Sequence, residues 1–324
     1  MKRTWNIGIL SDIHYAGPGE QARGDGYEAM GLSPLAGTLL GGYRRFVWLH
    51  QPLRKNYLLD RFLERASGYD CVIANGDYSC DSSFTGLSDD AALESARLCL
   101  EKLRCRYAGN FQANFGDHEL GKLSLTGHRG GMRLVSWRRA INDLSLEPFW
   151  TRQNGVYLLM GVVSSLLALP VFVRDMLPEE RGEWEKLRAA HLGQIREAFS
   201  QLSPDKKVIL FCHDPTALPF LWQEPTVRSR VGQIEQTIIG HLHSPLILWK
   251  SRVLSGMPVL RFLGHSVQRF SSALREAQHW KPFRVRLCPS LAGIELLKDG
   301  GYYSMELDVS GNVPARFTRH QLPR

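Results

Sequence analysis

Five short clusters of carboxylates and imidazoles punctuate the chain. They are Asp12-x-His14, Gly76-Asp77, Gly116-Asp117-His118-Glu119, His213 and Gly240-His241-x-His243. Carboxylates mixed with imidazoles suit Mn, Fe, Zn or a mixed pair of ions. Two such ions about 4 Å apart can hold a phosphate between them and generate hydroxide at neutral pH. One carboxylate must bridge the pair, and Asp77, the single acid of its cluster, is the natural candidate. No cluster is specific alone. "FGDHEL", residues 115–120, reads equally as a surface turn with charged decoration.

What joins the clusters is the chain that delivers them. Each follows a short apolar run of β character: "WNIGILSDIH", "YDCVIANGDYS", "YAGNFQANFGDHE", "KKVILFCHDP" and "IEQTIIGHLHSP". Helical patterns fall between them. "NYLLDRFLERASG" has apolar residues at helical spacing and a Gly stop, and "SDDAALESARLCLEKLRC" opens on a capping region. A longer amphipathic stretch, residues 177–205, opens at Pro178 and closes near Pro204. Alternating strands and helices predict an α/β layered protein with the clusters along the edge where carboxyl strand ends meet. The tail, residues 300–322, predicts a β-hairpin turning near "SGN". One domain over 1–324 is expected. Residues 15–55 form a basic and apolar insertion, and residues 244–290 a basic insertion before the final strands.

Composition narrows the partners. The 324 residues are 44% hydrophobic and carry a net charge of +8, enough apolar content for a substantial core and a surplus that favours anionic partners. The charge is uneven. Residues 223–287 hold ten Lys or Arg against three Glu, residues 120–142 hold five basic residues and no acid, and residues 41–55 hold four with no acid. Arg44, Arg45, Arg129 and Arg133 lie in these zones and are candidates to grip substrate phosphates through their planar forks. Arg138 and Arg139 share that chemistry. Trp48, Leu49 and Leu53 among the basic residues suit either an anionic membrane interface or a helix packed on the core. Six cysteines form no CxxC pair and read as free thiols in a reducing compartment. His50, His128, His191 and His265 read as surface or core residues. The apolar stretch before the first cluster is too short for a signal-peptide core. Val156 to Val173 has 18 residues without a charge, the lower limit for a spanning helix, but Gly161, Ser164, Ser165 and Pro170 favour a buried strand and apolar loop. A loop dipping into a membrane surface is the alternative.

With D-x-H, GD, GDHE, His and GH-x-H in order, the sequence from Trp5 to Pro245 resembles the calcineurin-like metallophosphoesterase superfamily. The resemblance implies an α/β/β/α four-layer sandwich and two divalent ions, Mn expected, with Fe, Zn or Mg as alternatives. It implies that Asp12, His14 and His243 hold the first ion, that Asp117, His213 and His241 hold the second, and that Asp77 bridges. His118 would contact the phosphate, stabilise its charge or protonate the leaving oxygen, and Glu119 would orient His118 by a hydrogen bond. The family usually has Asn where this chain has Asp117. The extra negative charge predicts tighter metal binding and a shift towards harder ions such as Mn.

The stretch "WLHQPLRKNYLLDRFLERA" before "YDCVIANGD", with "GDHE", is similar to a divergent branch of UDP-2,3-diacylglucosamine pyrophosphatases of lipid A synthesis. That likeness implies cleavage of a nucleotide-linked lipid to a lipid monophosphate and UMP by a cytoplasmic enzyme, peripheral on the inner face of the membrane. A phosphodiesterase, phosphatase or nuclease acting on another anionic substrate, and a non-catalytic scaffold, are the alternatives; nucleic acid is not the expected partner.

Overall fold

The computed structural model describes residues 4–124, 129–241 and 277–323, the side chains of 277–279 excepted. Ten strands fall among them: β1 (Thr4–Leu10), β2 (Cys71–Ala74), β3 (Phe111–Ala113), β4 (Trp150–Asn154), β5 (Tyr157–Val162), β6 (Lys207–Cys212), β7 (Ile234–Ile239), β8 (Val285–Leu287), β9 (Gly301–Asp308) and β10 (Arg316–Gln321). The α-helices are α1 (Pro18–Arg23), α2 (Pro34–Phe46), α3 (Tyr57–Arg65), α4 (Asp90–Tyr107), α5 (Leu134–Asn142), α6 (Ser164–Leu167), α7 (Arg181–Ser200), α8 (Leu218–Gln223) and α9 (Pro225–Arg230).

The strands form two sheets of five, in the orders β10-β9-β1-β2-β3 and β4-β5-β6-β7-β8. β1, β2 and β3 run parallel, as do β5, β6, β7 and β8, and antiparallel strands finish one edge of each sheet, β9 and β10 in the first and β4 in the second. Alternation along each strand explains how the sheets stack. Trp5, Ile7 and Ile9 of β1, Cys71 and Ile73 of β2, Leu159 of β5, Ile209 and Phe211 of β6 and Ile238 of β7 share one buried cluster with Met305 and Leu307 of β9. This is the seam between the sheets. The intervening residues, Val72, Ala74, Val208, Leu210 and Cys212, join a second cluster with Leu59 and Phe62 of α3, Ala96, Leu100 and Leu103 of α4, and Trp184, Ile195 and Phe199 of α7. Helix, sheet, sheet, helix is therefore the layering, as expected.

The helices end where their sequences say. Asp89 caps α4 by accepting from the Ala92 N–H, and Gly68 takes a left-handed φ of 78° three residues beyond α3. A short turn, Pro178–Glu180, leads into α7. The tail is the β9–β10 hairpin, with Thr318 opposite Ser304. Two expectations change. Val285–Leu287 belongs to the second sheet beside Thr237–Ile239, so the region written as 244–290 is part of the body at its end. The apolar stretch 156–173 is strand β5 followed by helix α6 rather than a loop, and residues 161–169 are buried throughout. Among the described residues no helix is long and apolar enough to cross a membrane.

Candidate active site

The two sheets meet at their carboxyl ends. Past β1, Ser11 bridges to Ser290 past β8, the Leu291 N–H donates to Ser11 O at 3.0 Å, and Ser290 Oγ donates to Asp12 O at 3.3 Å. Here each parallel strand releases its cluster. Asp12 and His14 follow β1, Asp77 follows β2, Asp117, His118 and Glu119 follow β3, His213 follows β6 and His241 follows β7.

The turns are forced. Asp12, His14, Asp77 and His241 all have left-handed φ, at 52°, 50°, 60° and 59°. Gly76 and Gly116 let two of these turns touch. A Cβ on Gly76 would lie 2.5 Å from Gly116 N, and one on Gly116 would lie 2.1 Å from Asp77 Oδ1.

The result is a compact group of charges. His213 Nε2 lies 3.2 Å from Asp77 Oδ2, 3.4 Å from Asp117 Oδ1 and 4.0 Å from Asp12 Oδ1. His241 Nδ1 is 2.9 Å from Asp117 Oδ1, and His118 Nε2 is 3.7 Å from Asp77 Oδ2. Asp77, Asp117, His213 and His241 offer ligand atoms within 4.8 Å of one another, and so do His14, Asp77 and His118. Asp77 belongs to both groups, which is the position a bridging carboxylate needs. His243 lies outside the described residues.

Backbone groups aim these side chains. His213 Nδ1 sits 2.5 Å from the Asn75 carbonyl, so the ring donates there and turns Nε2 into the cluster. His118 Nδ1 donates to Ser79 O at 3.1 Å, leaving Nε2 towards Asp77 and Lys122. The His241 N–H donates to Asp12 Oδ1 at 3.0 Å, and the His118 N–H to Asp77 Oδ1 at 3.0 Å.

Electrostatics fit a cation site. Burial and Asp117 both work to raise the Asp77 carboxyl, yet His118 and His213 outweigh them and its pKa is lowered. Burial also opposes ionisation of Asp117, but Lys122, His241 and His213 pull it well below the usual carboxylate range. Burial opposes charge on His213, and Asp77 and Asp117 overcome it and raise its pKa. Burial likewise opposes charge on His241, which Asp117 and Asp214 overcome, whereas at His14 burial outweighs Asp77 and Asp12 and its pKa is lowered. Asp77 Oδ2 and His213 Nε2 are both buried, and neither makes a hydrogen bond of acceptable geometry. Buried polar atoms are normally satisfied, and divalent ions would satisfy these. His118 differs: burial drives its pKa down to about 3 against the pull of Asp77, so the free ring is neutral.

One expectation is corrected. Glu119 does not reach the His118 ring. Its carboxylate accepts from the backbone N–H groups of Asp77, Tyr78 and Gly116 at 3.0, 2.9 and 2.7 Å. Consecutive residues on a tight turn point in different directions, and Glu119 points inward to lock the Asp77 turn. Ser79 O takes the orienting role at His118.

The arginines are dispersed. Arg129 donates to Tyr27 O, and Arg133 to Met132 O and Gly130 O. Arg44 pairs with Glu28 at 3.0 Å, and Arg45 lies over the Phe46 ring. Arg139 pairs with Asp90. His191 is buried in α7, where its Nε2 accepts from the Val163 N–H, and His50 is half-buried. His128 and His265 lie outside the described residues.

Two neighbours of the cluster were not singled out from sequence. Lys122 Nζ lies 3.0 Å from Asp117 Oδ2 and 2.5 Å from His118 Nε2. Its only signal was a place in the acid-free run after Glu119. Asp214 Oδ2 is 3.9 Å from His241 Nε2, and in "HDP" it reads simply as a cap, which it also is, accepting from the Thr216 N–H.

A cavity of about 300 Å³ adjoins Lys122. Glu28, Leu40, Tyr43, Arg44, Trp48 and Phe84 line it along with Lys122 and Leu123. Its outer wall is α2, none of whose residues is buried.

The family model for calcineurin-like phosphoesterases matches residues 6–245, the span that holds every cluster. The chain belongs to that family. This phosphoesterase is therefore a metal-dependent hydrolase, and its family works with two metal ions. No curated protein matches the chain. Among solved structures it is similar to a dimetal phosphatase from Danio rerio, with 12% identity, TM-score 0.46, and 98% of this chain and 96% of that one covered. It is also similar to a phosphopantetheinyl hydrolase from Mycobacterium tuberculosis, with 13% identity, TM-score 0.38 and coverage of 76% and 85%. A purple acid phosphatase from yellow lupin seeds gives 11% identity, TM-score 0.35 and coverage of 75% and 38%.

Proposed function

We propose that this phosphoesterase hydrolyses a pyrophosphate or phosphodiester bond in an anionic substrate with an apolar part, specifically UDP-2,3-diacylglucosamine to lipid monophosphate and UMP. The observation that carries the reading is the continuity of the charged cluster, through Lys122, with the cavity under α2. A phosphate at the cluster leaves an attached chain beside Leu40, Tyr43, Trp48 and Phe84.

In this reading Asp12, His14 and His243 would hold one ion, Asp117, His213 and His241 would hold the other, and Asp77 would be shared. Mn is the expected metal. Two divalent ions held there supply Lewis-acid polarisation of the phosphoryl group and acidify the attacking water. The protein's own groups do the rest. His118 presents Nε2 to the phosphoryl oxygen on which charge develops; with Nδ1–H held on Ser79 O, Nε2 donates there once the arriving phosphate anion brings a second proton onto the ring. Glu119 keeps the Asp77 turn closed through three N–H contacts. Lys122 and Arg44 line the cavity, each already held by a carboxylate, Asp117 and Glu28, and offer N–H donors to a nucleotide phosphate there.

Peripheral membrane contact is part of the proposal. Leu35, Leu39, Tyr43 and Phe46 of α2 are all exposed, at 73%, 67%, 47% and 67%, with Arg45 beside them. Apolar side chains flanked by cationic ones suit an anionic lipid surface, where such a substrate resides.

The test is hydrolysis of UDP-2,3-diacylglucosamine in Mn, with bis-p-nitrophenyl phosphate beside it. Chelator-sensitive cleavage of the lipid supports the proposal. Cleavage of the artificial diester alone retains the hydrolase and removes the lipid substrate.

A further inference from the structure

Asp117 and Lys122 sit on one turn. The N–H groups of Leu120 and Gly121 both donate to Asp117 O, at 3.2 and 3.0 Å, closing the chain back on itself. Beyond it, the Lys122 N–H donates to Phe84 O and the Leu123 N–H to Asp175 Oδ2. The turn is thus tied at both sides of the lysine. Lys122 Nζ is delivered 3.0 Å from Asp117 Oδ2, while Asp117 Oδ1 faces His241 and His213. The two oxygens of one carboxylate have separate neighbours: Oδ1 meets His241 Nδ1 at 2.9 Å, and Oδ2, buried and without a hydrogen bond of acceptable geometry, lies within ion-pair distance of the ammonium. Asp12, Asp77 and Asp117 bring three acids into this small buried volume, and Lys122 is the one aliphatic cation among the described groups that touches any of them.

We propose that Asp117 and Lys122 act as a single charge-compensated ligand, the Lys122 ammonium offsetting the charge that the Asp117 carboxylate carries towards the metal. The inference rests on the dimetal reading above and names a positioning residue for it. Its physical content is simple. A carboxylate binds a divalent ion more tightly than a neutral carbonyl does, and it also makes the ion a weaker acid. An ammonium 3.0 Å from Oδ2 of that carboxylate opposes both effects, and it has no lone pair with which to bind the ion itself. The same ammonium touches His118 Nε2, so the pair also sets where that ring stands when a phosphate arrives.

The two residues must then act in opposite directions on metal affinity, which a merely structural ion pair would not do. Lys122→Met leaves the Asp117 charge unopposed, so the second metal ion should bind about tenfold more tightly while turnover of bis-p-nitrophenyl phosphate falls. Asp117→Asn leaves Lys122 unopposed beside the ion, and affinity should fall by about tenfold or more. In the double variant the two opposite shifts should sum to about zero, giving affinity within about threefold of the parent. Lys122→Arg keeps the charge and should keep the affinity, separating charge from side-chain packing.

Calorimetric titration of the chelated full-length proteins with Mn, with a thermal melt of each to establish folding, reads all of this without relying on catalysis. Opposite shifts that cancel in the double variant support the pair. Shifts of the same sign, or no shift in Lys122→Met, overturn it with the dimetal reading intact. A parent protein that takes up no metal overturns both.

Discussion

The cluster at the strand ends and helix α2 lie on either side of one cavity and are built by opposite rules. Asp12, Asp77, Asp117, His118 and His213 are at most 8% exposed, each is released by a strand, and all but Asp117 are held by main-chain contacts from another strand end. Helix α2 has no buried residue. It is tied to the body at its edges, by Arg44 to Glu28, by Lys55 to Glu295, and by the Glu295 and Leu296 N–H groups donating to Trp48 and Val47 carbonyls. The contrast separates chemistry from recognition. Groups that meet the reacting phosphate need fixed geometry, and the sheets supply it. A surface that accepts a chain of variable shape tolerates loose attachment, and few buried contacts leave it free to adjust.

Substitutions should divide along that line. The largest effect is expected at Asp77, shared by both ligand groups. Asp77→Ala should lower turnover by about 10⁴-fold and release metal, read by metal analysis of the purified protein, since the lost charge stabilisation amounts to several kcal/mol. His118→Ala should lower turnover by about 10²–10³-fold with metal retained, the loss of one charge-stabilising contact. Equal loss of metal and activity would place His118 among the ligands and break the distinction drawn within the cluster.

Next comes the packing that supports the cluster. Burial lowers the His191 pKa to about 4, from an ordinary 6.5. The folded protein keeps this ring neutral while the unfolded chain takes up a proton, so stability falls as pH drops from about 6.5 towards 4 and is steady above. Between pH 7 and pH 5 the contribution is about 2 kcal/mol. Urea titrations at both pH values measure it, and His191→Gln should flatten the dependence.

The smallest effect on the fold should come from α2. Leu39→Glu and Phe46→Glu change exposed positions and should alter stability by about 0.5 kcal/mol or less. Hydrolysis of bis-p-nitrophenyl phosphate should not change. Cleavage of a diacylated substrate on anionic vesicles should drop by about tenfold, because each charge enters an apolar lipid-facing stripe. Equal losses on both substrates would mean that α2 shapes the cluster itself.

The same division governs what was legible in the sequence. Asp12, Asp77, Asp117, His213 and His241 could be read because each ends an apolar run, and a buried strand followed by a turn leaves one place for the next polar residue. Helices α3, α4 and α7 carried period and caps. Lys122 was hidden because its role depends on a turn folding back over Phe84, and nothing local in "GKLS" records that contact. The direction of Glu119 was misread for a related cause: spacing assigns neighbours along the chain, whereas its partners are N–H groups on the turn after β2. Trp48, Leu49 and Leu53 suit either a membrane interface or the core by sequence; Leu49 and Leu53 prove buried, and the exposed apolar residues belong instead to α2 just before them, where no local signal separates the two environments.

The left-handed turns at the cluster have a consequence for how this protein could be made sturdier. Asp12, His14, Asp77 and His241 each occupy a conformation that costs an L-residue about 1–2 kcal/mol. Glycine would relieve it at every one of these positions while deleting the side chain that does the work. Selection for heat tolerance alone should therefore find its easiest gains here and deliver an inert protein. A screen that rewards survival without rewarding hydrolysis would dismantle the centre first.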